Sequence, residues 1–148
     1  FYLRYACLWH RAPVNQWEVR LLGNALISAS VRLFGYHEWA AALPSLCASL
    51  TILLTVLAAC RNLGTVGQAW WAGLLTATLP VEVTNATIIS AHAVMAGFMA
   101  PGTLAFVLAP ESTLARRVAA VCLPLGVVSH LNGAYYAAAL LAAALIVD

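Results

Sequence analysis

VTNATIISAHAVMAGFMAPGTLAFVLAP, residues 83 to 110, carries no charged side chain between Glu82 and Glu111. It is longer than the ~20 apolar residues a bilayer-spanning helix needs. Working outward, the remaining charges beyond residue 60 are Arg61, Arg116, Arg117 and Asp148, so 62–81 and 118–147 are also uncharged, as is 39–60. With 64% hydrophobic and 8% charged residues and a mean hydropathy of +0.90, the chain falls outside the range of soluble domains. The predicted fold class is all-α, a polytopic membrane helical bundle with two interfacial, juxtamembrane helices. The formal charge of +2 gathers on no single face, which excludes nucleic acid as a partner on electrostatic grounds.

Two regions are expected. Residues 1–36 read as interfacial helices: Tyr2, Tyr5 and Trp9 recur at helical spacing, RAPVNQ breaks the pattern, and Arg20, Asn24, Ser28 and Arg32 then recur every four residues. Such a stripe on an apolar helix suits headgroup contact, and Gly35 follows where a helix would end. Residues 37–148 read as a membrane region of about five spans, part of a larger domain. Expected there are a helix over 39–60 with Pro44 in its first turns, a loop RNLGTVG, and a span over 68–81 opening on Trp70 and Trp71. A polar hairpin around EVTNAT, residues 82–87, and a span over 90–108 follow. As one helix, 118–147 would be roughly 45 Å long against a ~30 Å bilayer core. SHLNG, residues 129–133, therefore predicts a turn between helices at 113–128 and 133–147, with one tilted helix as the alternative. Arg61, Arg116 and Arg117 fall in loops on one side, which the positive-inside rule makes cytoplasmic. Arg4, Arg11, Arg20 and Arg32 lie on the other side, where interfacial helices use arginine for headgroups.

Few side chains can carry chemistry. Cys7, Cys47, Cys60 and Cys122 have no metal-ligand or CxxC spacing and read as small hydrophobes. His92 sits near a helix start, where a neutral hydrogen-bonding imidazole is expected, touching either substrate or a neighbouring backbone carbonyl. His130 and Asn132 mark the SHLNG turn. Arg11 and Arg20 offer guanidinium forks suited to phosphate, against the alternative of plain interfacial arginines. Glu82 begins the outer hairpin as a carboxylate for an acceptor or a cation, or as a solvated loop residue.

The order of elements, with LFGYHEWAAALPS at residues 33–45, resembles the C-type membrane glycosyltransferases, the superfamily of protein O-mannosyltransferases and lipid A aminoarabinose transferases, in a fragment from the N-terminal region. Ala42 stands where that family usually has arginine. His92 and Thr87 stand where it commonly has an aspartate and an arginine, and His130 with Asn132 replaces a threonine-lysine pair that faces the lipid donor. The resemblance implies a multi-pass protein of the cell membrane, most simply a bacterial inner membrane. Its activity would be sugar transfer from a polyprenyl-phosphate donor to a lipid, glycan or protein acceptor on the extracytoplasmic face, with membrane lipid as its other partner. The expected substrate-binding residues are His92, Arg20, Arg11, Glu82, His130 and Asn132. The family's inverting displacement uses an aspartate of the first outer loop as general base. The chain's one aspartate is the terminal Asp148, so the base is expected just ahead of Phe1, no catalytic residue is assigned here, and the chain alone is expected to be inactive. A divalent cation in the full-length enzyme is the one cofactor the resemblance leaves room for. The rival readings are a transporter or permease, which should show an inverted repeat and Gly/Pro-broken helices, and a structural membrane subunit. The latter predicts that the polar stripe at 20–32 packs on a partner protein.

Overall fold

Helix boundaries fall where the sequence punctuates the chain. The computed structural model describes residues 20–108 and 111–147. The predicted surface helix over 1–10 and the candidate Arg11 lie outside them. All regular structure among the described residues is helical: α1 (Leu21–Phe34), α2 (Glu38–Leu63), α3 (Val66–Thr78), α4 (Pro80–Thr87), α5 (Ala91–Leu108), α6 (Thr113–Ser129) and α7 (Asn132–Val147). Gly35, at φ 91°, closes α1 with its N–H on Val31 O at 2.9 Å, a conformation that favours glycine. The loop expected at 61–67 shrinks to Gly64–Thr65. Thr65 and Gln68 form a reciprocal capping box there, with Gln68 N–H donating to Thr65 Oγ1 and Thr65 N–H to Gln68 Oε1. The turn at SHLNG is present, and 118–147 is divided between α6 and α7 as expected.

Helix α5 lies at the centre, packed most extensively on α6 and then on α2. The seam is made of small side chains: Ala40, Ala41, Ser45, Ala48 and Ser49 are buried on α2, and Ala91, Ala93, Gly97 and Gly102 on α5. At the closest approach a Cβ on Gly97 would stand 2.6 Å from Ala48 Cβ. Small residues let helix backbones approach in this way. Ser45 Oγ clasps the start of α5, accepting from Ser90 N–H at 3.0 Å and donating to Ser90 O at 3.3 Å. Ser90 Oγ in turn accepts from Ala93 N–H, as an N-cap does.

Two expectations change. The polar stripe of α1 does not meet headgroups throughout: Asn24 and Ser28 are buried together with Ile27 and Val31, while Arg32 is exposed. The helix packs on α2, α5 and α6, with Ser30 Oγ donating to Ala40 O. Its large apolar residues Leu21, Leu33 and Phe34 face outward instead. Such an arrangement is favourable where the surroundings are apolar and polar groups find partners inside. The EVTNAT segment is also not a hairpin but helix α4. Pro80 at its first position sets φ for a helix and lacks the N–H that α3 would need to continue. Thr84 and Thr87 hydroxyls donate to Pro80 O and Val83 O, keeping polar groups within the helix.

Among the described residues two helices are long and apolar enough to cross a membrane, Glu38–Leu63 and Ala91–Leu108. Only 17% and 33% of their apolar windows are buried. Leu46, Leu50 and Leu54 form an outward stripe on α2. The helices expected to be spans over 68–81, 113–128 and 133–147 have 13, 17 and 16 residues, each shorter than the ~20 a crossing takes.

Candidate functional site

Four helix ends meet around two imidazoles. Gly23 in the first turn of α1 makes the approach possible: a Cβ there would lie 3.0 Å from Ala91 Cβ and 3.5 Å from Ser129 O. This close packing sets Arg20, the residue before α1, beside the first turn of α5 and the end of α6. His92 and His130 face each other with ring centroids 3.8 Å apart at 34°. Arg20 acts electrostatically on both rings. His130, between α6 and α7, is buried (7% exposed). Burial first, then His92 and Arg20, pull it down from 6.5 to about 4. His92 is exposed on its outer side.

The tautomer of His130 follows from its partner. Asn132 N–H donates to Nδ1 at 3.1 Å, so in the neutral ring the proton is on Nε2. That Nε2–H is buried and has no hydrogen-bond partner, a cost of about 1–3 kcal/mol for a polar group left unmatched. The N-termini of α1, α5 and α7 all open onto this point, each carrying partial positive charge. At the C-terminus of α6, which has the opposite sign, Leu125 O accepts from Ser129 Oγ at 2.7 Å and Gly126 O from His130 N–H at 3.3 Å. Among the described residues the His130 Nε2–H finds no acceptor.

Of the residues expected to contact substrate, Arg20, His92, His130 and Asn132 are brought together, Asn132 through its backbone N–H. Glu82 lies elsewhere, on α4 against α2, half-buried with Oε1 fully enclosed rather than solvated. Ser49, which lines the same cavity as Glu82, has no motif around it to single it out within the uncharged run 39–60. Cys47, Cys60 and Cys122 are free thiols.

An apolar groove of about 460 Å³ runs along α1; Val94 is one of its walls, and none of Arg20, His92 and His130 lines it. The groove continues between α1 and the α2–α5 pair past Leu26, Leu33, Pro44, Phe98 and Pro101.

The donor set does not fit a divalent cation. Among the described residues no three His, Cys, Asp or Glu side chains gather, and a guanidinium beside two imidazoles repels positive charge.

No family model, no curated protein and no solved structure matches this chain. What the fold defines is a class: among the described residues, an all-helical protein with two helices long and apolar enough to span a membrane.

Proposed function

We propose that this chain is a multi-pass part of a membrane glycosyltransferase that takes a sugar from a polyprenyl-phosphate donor, binding the donor phosphate at Arg20, His92 and His130. The observation that carries the reading is the buried, partnerless Nε2–H of His130 beside an arginine. A phosphate oxygen supplies the missing acceptor, the Arg20 fork supplies charge-assisted donors, and the three helix N-termini favour an anion. The apolar groove between α1 and the α2–α5 pair suits the prenyl chain. The membrane setting is supported by α2, whose 26 residues amount to roughly 39 Å of helix. Exposed Trp39 stands near one end of it, and exposed Trp70 and Trp71 follow its other end, as aromatic belts do. The extracytoplasmic side is assigned to the imidazole end, because Arg61, Arg116 and Arg117 lie at the opposite one.

The role of these residues is to hold and orient the donor. Neutral His130 donates from Nε2 to a phosphate oxygen, and Arg20 offsets charge as the phosphate leaves the sugar carbon. His92, open on its outer side, is placed to contact the sugar or the acceptor. The general base for the acceptor hydroxyl is assigned to no residue of this chain.

The test is binding of polyprenyl phosphate, with the neutral polyprenol as control, to the purified chain in micelles. Wild type should prefer the phosphate. Arg20→Ala and His130→Phe should each weaken phosphate binding by about tenfold or more, the scale of one charge-assisted hydrogen bond, and leave polyprenol unchanged. Equal affinity of wild type for the two lipids would remove the donor site. In the complete gene product, His92→Leu should lower sugar transfer while His92→Asp retains it.

A further inference from the structure

Many hydroxyls inside these helices bond their own helix. Thr51, Thr55, Thr76, Thr78, Thr84, Thr87 and Ser129 each donate to the carbonyl four residues back, the economical solution for a polar group on an apolar helix. Ser49 of α2 and Thr103 of α5 do not, and Ser49 shares its cavity with a second such oxygen. Its Oγ is buried without any partner, in a residue only 6% exposed. It lines a cavity of about 210 Å³ between α2, α3 and α4. Glu82 lines the same cavity, and its Oε1 is the second enclosed oxygen there without a partner. The other walls are Leu46, Leu50, Leu53 and Val83, with Ala77 and Ala86. Two residues of one apolar cleft, one of them acidic, thus each carry an enclosed oxygen without a partner.

We propose that this cavity binds the primary ammonium headgroup of a phospholipid, held by Glu82 Oε1 and Ser49 Oγ. Both oxygens can accept, and an ammonium brings three N–H donors together with the charge that matches Glu82. A quaternary ammonium matches the charge but offers no N–H, so the cavity discriminates between the two headgroups. Leu46, Leu50 and Val83 are also exposed on the outer surface, which gives the acyl chains an apolar path beside the headgroup. The site is separate from the imidazole cluster and rests on the membrane reading alone, not on sugar transfer.

Native mass spectrometry of the chain released from nanodiscs tests it. The discs contain phosphatidylcholine with either phosphatidylethanolamine or phosphatidylglycerol added. Wild type should retain phosphatidylethanolamine over both others, and Glu82→Gln and Ser49→Ala should each reduce that preference by about tenfold, with helix content unchanged by circular dichroism. Ser49→Ala removes a hydroxyl that has no partner to lose, so the fold should survive it. Equal retention of the three lipids would overturn the proposal and leave the cavity to water. Occupancy by free ethanolamine at the same level would overturn the lipid as its source. A wild-type chain that fails to enter nanodiscs at all would overturn the membrane reading together with this site.

Discussion

His130 shows how one ring can be fixed from two sides. Its Nδ1 is held by the Asn132 N–H, and its Nε2–H is enclosed beside Arg20 and His92. A stability consequence follows. The unfolded ring takes a proton near 6.5, whereas the folded one does so only near 4. Between those values the unfolded chain binds more protons, so this contribution is complete above pH 6.5 and is lost as pH falls towards 4. Thermal unfolding in micelles should show a midpoint that drops between pH 7 and pH 4.5, and His130→Asn should flatten the drop. A wild-type midpoint that stays level across the window would sink the assignment. The sequence offered His92 and His130 as separate candidates near helix ends, 38 positions apart. Nothing in their spacing shows that the two rings meet, because that contact depends on how α5 packs against α6. Arg20 is a candidate in the sequence by residue type alone, and only the structure sets it beside both imidazoles.

At the scale of the element, the seam of α2 and α5 depends on the missing side chain at position 97. Gly97→Ala would place a Cβ 2.6 Å from Ala48 Cβ and 2.8 Å from Ala48 Cα, so one helix must move. The cost should be about 1–3 kcal/mol, typical of overpacking, read as a lower midpoint in detergent-induced unfolding. Combined with Ala48→Gly, the double variant should be more stable than the sum of the two single effects predicts. Strict additivity would argue that the two positions do not touch. The two long apolar helices α2 and α5 were legible, because charge-free intervals and Ser, Gly and Pro punctuation mark them and the α6–α7 turn, whereas the lengths of the other three expected spans were not. The facing of α1 was not. A four-residue polar period places Arg20, Asn24, Ser28 and Arg32 on one side but cannot say whether that side meets headgroups or helices. Here Asn24 and Ser28 go inward. The helical state of EVTNAT was missed because its polar residues resemble a loop, whereas Pro80 at a helix start and back-bonding threonines favour a helix.

Across the whole molecule, Arg61 and Arg116 occupy one set of helix ends and Arg20, His92 and His130 the other. Single cysteines at Leu63 and Val81, exposed at 72% and 64%, placed in a background free of native cysteines, should therefore label from opposite faces of intact cells. Labelling from the same face would sink the proposed topology.

The break at Leu79–Pro80 has a bearing on how such a chain enters a bilayer. Helix α3 has 13 residues, about 20 Å of rise, and does not reach across the hydrocarbon on its own. Its turn from α2 is only Gly64–Thr65. In the proposed membrane setting, the lateral exit of α3 from the insertion machinery would be tied to that of α2: the longer helix would carry its short neighbour into lipid as a pair, with the order of insertion written in the unequal lengths of the two.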